Sequence, residues 1–215
     1  MPKSEGDSTF ITVAKTAQAE ITIKKSLFIA RVSSAASEEE SRDFCRMVRR
    51  QESTARHNVS AFRVGVPGTS NFVERFSDDG EPRGTAGKPV FDCISGRNLT
   101  NTVVVVTRYF GGILLGTGGL VHAYSTVAAA ALDLAGQQVM TLKNMVEVEL
   151  PYNLADVFRY YLRKQEINIL EENYGTKINY LLALTSIEQV KLEEHLADIS
   201  AGTVKARFLY NMYMR

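Results

Sequence analysis

The chain has 215 residues, 45% hydrophobic and 23% charged, enough for one large domain or two small ones with ordinary cores. A formal net charge of +1 argues against a surface that grips nucleic acid by its phosphates alone. No apolar run approaches the ~18 residues of a membrane-spanning helix, so no membrane partner is expected.

The first residues, Met1 to Asp7, are polar and lack the apolar centre of a signal peptide. Strands are predicted at Phe10 to Val13, Glu20 to Ile23 and Phe28 to Val32. A helix follows over Glu38 to Gln51, opened by a capping box, Ser37-Glu38-Glu39-Glu40. Arg42, Arg46, Arg49 and Arg50 lie on it, spaced to share part of a face, and read as a solvated, ion-paired surface. Further strands are predicted at Asn58 to Gly65 and Phe72 to Phe76. Cys45 and Cys93 fall inside helices and form no CxxC pair, which suggests free thiols in a reducing cytoplasm. Two cysteines and three scattered histidines make a structural zinc site improbable, and no cofactor or metal is expected.

A first glycine loop runs Phe76-Ser77-Asp78-Asp79-Gly80-Glu81-Pro82-Arg83-Gly84-Thr85-Ala86-Gly87-Lys88-Pro89-Val90. Asp79-Gly80 and Glu81-Pro82 are turn signals, and Pro89 suits the first turn of a short helix reaching Gly96. Gly87-Lys88 is not a phosphate-binding P-loop. That pattern needs glycine five residues earlier and serine or threonine after the lysine, where this chain has Pro82 and Pro89. Asp78, Asp79 and Glu81 are ordinary turn residues that also have the chemistry to hold Mg²⁺ beside a phosphate.

The most informative stretch is Thr102 to Gly136. Thr102-Val103-Val104-Val105-Val106-Thr107 is an unbroken β-branched run, the signature of a strand buried on both faces. Arg108-Tyr109-Phe110-Gly111-Gly112-Ile113-Leu114-Leu115-Gly116-Thr117-Gly118-Gly119 follows. An alanine-rich helix then runs from Leu120 to Leu134, with Gly136 placed to end it. A buried strand, a glycine-rich loop and a helix N-terminus form a geometry that can hold an anion. Arg108 would add a permanent charge with a planar donor fork. The alternative is that the glycines serve packing, with Gly118 and Gly119 bringing the helix close to the sheet beside Ala123, Ala128 and Ala131.

These two loops carry a resemblance. "FSDDGEPRGTAGKPV" and "VVVVTRYFGGILLGTGGLVHAYSTVAAAAL", with "KKSLFIARV" near Lys24 and "HNVSAFRVG" near His57, closely resemble the IMPACT/YigZ family, over nearly the whole chain. Two positions depart from the family pattern. His122 stands where arginine is usual, and Arg83 where a small polar residue is usual, so a charge is lost at one place and gained at the other. The resemblance implies an N-terminal α/β sandwich similar to the second domain of ribosomal protein S-five, then a ferredoxin-like domain. That pairing is similar to domains four and five of elongation factor G. Eukaryotic members of the family are implicated in control of translation initiation under starvation, through binding a kinase activator.

A domain boundary is predicted near Gly136-Gln137-Gln138, giving domains 1–138 and 139–215. In the second, Val146, Val148 and Leu150 alternate with Glu147 and Glu149 as a strand with one exposed face. Asn153 is read as the cap of a helix with Leu154, Val157, Phe158, Tyr161 and Leu162 on its apolar stripe. Ile167 to Tyr174 and Lys177 to Leu184 are strands joined through Gly175. Ser186 with Gln189 is read as opening a second helix, and Val204, Ala206, Phe208 and Tyr210 alternate along a last strand. The order βαββαβ is the ferredoxin-like split motif. Phe208 and Tyr210 share the face of Val204 and Ala206 and are expected under the helices, which leaves no aromatic platform for RNA. The fold class is therefore α+β in two domains.

No serine or cysteine sits in a nucleophile motif, and no catalytic residue is assigned. His57 is the best candidate base. His122, one turn into the helix, sits where the positive dipole end favours a neutral ring. His195 reads as a solvated surface residue. The candidate ligand-binding set is Arg108, Tyr109, Gly111, Gly112, Gly116, Thr117, Gly118 and Gly119 from one loop. Asp78, Asp79, Glu81, Arg83, Thr85 and Lys88 come from the other, with His57 and His122. Two functions stay open. One is a binding and regulatory factor for the ribosome, RNA or a translation-associated protein. The other is an enzyme acting on a phosphate-bearing small molecule or nucleotide. The balance falls towards binding.

Overall fold

A computed structural model describes residues 9–215, so the polar segment Met1 to Asp7 lies outside the described residues. The chain folds into two compact units, one of residues 10–139 and one formed by Thr9 with residues 140–215. Among the described residues no helix is long and apolar enough to cross a membrane.

The first unit contains β1 (Thr9–Val13), β2 (Ala17–Ile23), β3 (Ser26–Ser34), α1 (Glu38–Gln51), β4 (His57–Val64), β5 (Val73–Ser77), α2 (Gly87–Ser95), β6 (Thr102–Tyr109) and α3 (Gly116–Ala135). Five strands form an antiparallel sheet in the order β2-β3-β6-β4-β5. The β-branched run occupies the central strand. Val104 and Val106 face a core shared with α2 and α3, while Val103 and Val105 face a smaller core under α1 with Val48 and Phe62. Both faces are sealed, as the lack of alternation in this run predicts. The strand extends two residues further than the valine run suggests, to Tyr109. That extension sends Arg108 and Tyr109 to opposite sides of the sheet.

α1 begins where its cap is read. Ser37 accepts a hydrogen bond from the Glu40 amide. Its arginines are paired as a solvated face would be: Arg42 with Glu38, Arg46 with Asp43, and Arg49 with Asp79.

The second unit is built from β7 (Gln137–Leu150), a single 3-10 turn (Tyr152–Leu154), α4 (Ala155–Lys164), β8 (Ile169–Tyr174), β9 (Ile178–Leu184), α5 (Ser186–Ser200) and β10 (Ala206–Met214). Within its sheet β10, β7, β9 and β8 pair in that order, each antiparallel to the next. That is the order a βαββαβ split motif requires, with β9 inserted between the strands joined through α4. Its core is Val146, Val148, Leu150, Phe158, Leu162, Tyr180, Leu182, Leu184, Leu192 and Leu196 with their neighbours.

Several local expectations need correction. Asn153 caps nothing. It sits inside the 3-10 turn, and α4 starts at Ala155 with no side-chain cap. The capping box of α5 lies one residue earlier than read: Thr185 and Glu188 exchange both bonds, at 3.2 and 2.7 Å. Phe208 and Tyr210 do not pack under the helices. A bulge between them breaks the alternation, and both side chains are about half exposed. His195 is not simply solvated: its ring stacks on Tyr161, with centroids 3.9 Å apart and planes 10° apart.

Candidate functional site

Both glycine loops meet at one end of the central strand. The first loop is shaped by Asp78, whose carboxylate accepts from the amides of Gly84 at 2.8 Å, Ala86 at 3.1 Å and Gly87 at 2.8 Å. Burial alone would raise the Asp78 carboxyl. The three amides and the Arg83 charge outweigh it and hold the group below the usual carboxylate range. Asp79 sits in the left-handed region at φ +45°, stabilises the same turn through Arg49 at 2.5 Å and accepts from the Asn58 amide at 2.6 Å. The Asp79 carbonyl accepts from His57 Nδ1 at 2.9 Å. A carbonyl only accepts, so Nδ1 carries the proton of that bond and Nε2 is the free nitrogen.

This folding directs Glu81 inward. Its Oε1 accepts from Arg108 Nη1 at 2.7 Å and from the Tyr124 hydroxyl at 2.8 Å. Burial, and then the adjacent carboxylate, push the Tyr124 hydroxyl above its usual range. The Arg108 guanidinium lies 5.4 Å from the Phe28 ring centre and 5.5 Å from that of Phe110, and its buried Nε has no hydrogen-bond partner among the described residues. Arg108 therefore serves a buried network first. It is not the free anion receptor that its place before the glycine loop suggests.

Beside this network lies a cavity of about 410 Å³ lined by Arg56, His57, Glu81, Pro82, Arg108, Phe110, Leu114, Leu115, Gly116, Thr117 and Leu120. Its lip is apolar and open: Phe110 is 50% and Leu114 82% exposed, and Ile113, next to Leu114 in the chain, is 42% exposed. α3 starts at this lip with no side-chain cap and no acidic residue in its first turn. Its first amides have no acceptor within the helix. Arg56, at the cavity wall, forms no ion pair among the described residues.

The structure thus brings together Arg108, Glu81, His57, Gly116 and Thr117 from the candidate set, and adds Arg56, Phe110, Leu114, Leu115 and Leu120. Arg56 stood next to His57 in the sequence, and only its lack of a partner marks it out. Tyr109 is elsewhere. Its hydroxyl donates to Glu52 at 2.5 Å on the α1 side, where Arg31 also pairs with that carboxylate. These contacts, Tyr109 first, hold the Glu52 carboxyl below its usual range. Thr85 donates to the Pro82 carbonyl at 2.7 Å, and Lys88 pairs with Asp92. Arg83 and His122 are exposed and do not line the cavity.

The glycines divide by role. A Cβ at Gly111 would lie 2.0 Å from the Lys25 backbone, so Gly111 is required for close packing. Gly112 and Gly116 adopt φ of +84° and +72°. Gly118 faces open space, and Gly119 meets only Leu115 of its own turn, so neither brings α3 against the sheet. Ala123, Ala128 and Ala131 do that. Among the described residues, no group of three His, Cys, Asp or Glu side chains is placed to hold a metal.

The sequence model of the Impact N-terminal domain matches residues 24–132, and that of a domain of unknown function, DUF1949, matches residues 148–203. The chain is 31% identical to the IMPACT family member YvyE of Bacillus subtilis over 90% of its length and 88% of that protein's. It is 34% identical to the IMPACT family member YigZ of Escherichia coli over 85% and 89% of the two chains. A crystal structure described as that of a hypothetical protein superimposes with a TM-score of 0.65 at 32% identity, covering 94% of this chain and 98% of the other. On the matched domain, the matched lengths and these identities, the chain belongs to the IMPACT family.

Proposed function

We propose that this protein is a binding factor linked to the regulation of translation, and that its end of the central sheet, the cavity with its glycine-rich lip, is the surface that engages a translation-associated protein. The link to translation rests on family membership and on the role that the family resemblance implies. The choice of surface rests on one observation: Phe110 and Leu114 stand exposed at the wall of a preformed cavity, and the exposed Ile113 precedes Leu114 in the same loop. Large apolar side chains clustered at an open pocket are what a protein interface uses as its anchor. Arg56 and Arg83 stand on or beside this end and supply a rim charge that would steer an acidic partner. The unfilled amides at the start of α3 give the loop its anion-binding character.

The test is co-sedimentation with ribosomes from a starved and a fed culture, at two salt concentrations. Leu114→Asp with Ile113→Asp should abolish association while the protein stays folded, because both side chains already lie in solvent. An RNA contact would instead survive this change and vanish with salt and with Arg56→Glu and Arg83→Glu. Equal sedimentation of every variant would overturn the surface. A second reading, an enzyme acting on a small phosphorylated molecule, draws on the cavity and on the free His57 Nε2 at its wall. It requires turnover that His57→Gln removes.

A further inference from the structure

The charges around the cavity restrict what can occupy it. Arg56 and Arg108 bring two positive charges, and Glu81 cancels one of them through its 2.7 Å bond to Arg108. The start of α3 adds roughly half a positive charge. The sum suits a head group with a single negative charge and is too small for a polyphosphate. Two further observations point at the same place. Arg108 lines the cavity with its side chain 7% exposed and its Nε unpartnered, and Thr117 on the first turn of α3 makes no side-chain hydrogen bond among the described residues. Apart from His57, the rest of the wall is largely apolar, with Pro82, Phe110, Leu114, Leu115 and Leu120. A space of about 410 Å³ has room for a large side chain or an acyl group.

We infer that the cavity binds a carboxylate carried directly on an apolar body, the carboxylate at the first amides of α3 with Arg56 and the body against Leu115 and Leu120. This rests on the reading of the loop as an anion-binding element, and it names the class of anion. The same chemistry has two sources: the C-terminus of a chain ending in a large apolar residue, or a free acyl acid. Recognition of a terminal carboxylate by unpaired backbone amides beside an apolar pocket is a general mode of peptide capture. Neither source requires a co-reactant or a chemical step.

The full chain, labelled with ¹⁵N, is titrated with acetyl-Gly-Gly-Leu, its C-terminal amide, hexanoate and inorganic phosphate, while the amide signals of Gly116 to Gly119 are followed. The two acids are expected to move these signals saturably, and the amide of the peptide to bind about tenfold more weakly or worse, since a charge-assisted hydrogen bond is lost. A tighter peptide identifies a chain terminus as the source, and a tighter hexanoate identifies a free acid. Thr117→Glu should abolish binding without lowering the melting temperature, because a carboxylate in the first turn favours the helix while it repels the ligand. Arg56→Ala should weaken binding and leave the fold intact, as its side chain is exposed and forms no ion pair among the described residues. Equal binding of acid and amide overturns the inference and leaves an apolar cavity. Phosphate binding with no response to either acid overturns the class and keeps the anion loop. No response to any probe overturns both.

Discussion

Arg108 and Glu81 meet at 2.7 Å with 7% and 4% of their side chains exposed, and Tyr124 donates to the same carboxylate oxygen at 2.8 Å. The pair joins the central strand to the first glycine loop. Removing one partner leaves the other charge buried alone. Glu81→Ala should therefore destabilise the first unit by about 3–5 kcal/mol, the range for a broken buried pair. Replacing both, with Glu81→Leu and Arg108→Met, should recover most of that loss. Urea unfolding of the three proteins measures this, and a cost for Glu81→Ala below about 1 kcal/mol, the scale of a surface pair, would show that solvent reaches it.

Tyr124 makes the same network sensitive to alkali. Burial and the Glu81 charge raise the Tyr124 hydroxyl above its usual value near 10. The unfolded chain releases this proton as pH passes about 10, while the folded chain retains it. Stability is thus whole below about pH 10 and falls as pH rises beyond it. Tyr124→Phe should flatten that fall for the first unit. Tyr180 in the second unit, pushed up to about 12 by burial and then by Glu172, should keep its own alkaline slope. An unchanged slope in the first unit after Tyr124→Phe would locate the alkaline sensitivity elsewhere.

The glycines allow a direct comparison of role within one loop. At Gly111 an added Cβ would overlap the Lys25 backbone at 2.0 Å, and backbone cannot rotate away. Gly111→Ala should cost at least about 1–3 kcal/mol, the scale of overpacking. At Gly118 nothing lies within 4 Å and the residue is helical. Gly118→Ala should stabilise by about 0.5–1 kcal/mol. Thermal unfolding of the two variants decides it. Shifts of the same sign would mean that the loop relaxes around Gly111.

The two folds were legible because their signals are periodic and local. The valine run announces a strand with two dry faces, and alternation in Val146, Val148 and Leu150 announces one with a single dry face. The errors have physical causes. A bulge at Phe208 and Tyr210 inserts one residue, which no count of alternate positions detects. Thr185 and Ser186 are both good caps with acceptor-bearing residues three positions on, so propensity alone could not choose between them. At the candidate site, the sequence placed Arg108 directly before the glycine loop but could not show that Glu81, 27 residues earlier, would neutralise it. Nor could it show that Arg56 would find no ion-pair partner among the described residues, since ion pairing depends on which loops fold together.

The stacking of His195 on Tyr161 carries a prediction for acid conditions. Burial lowers the basicity of His195 below its usual value near 6.5, and Asp198 only partly opposes it. Above about pH 6.5 the ring is neutral in both folded and unfolded chains, and the stacked arrangement contributes fully. As pH falls below that value the unfolded chain gains a proton that the folded chain still refuses, so stability is lost. The loss belongs to the second unit, whose core includes the α5 residues Leu192 and Leu196 on the helix that carries His195. The first unit has its own core. Heating should give two transitions, and lowering the pH from about 7 to about 5 should move the His195-linked one down. His195→Phe keeps an aromatic ring on Tyr161 and removes the titration. It should flatten the acid slope of that transition and leave the other unmoved. In the same scans, Glu81→Ala should lower only the first unit's transition. A single transition shifted by both substitutions would show that the two cores unfold as one.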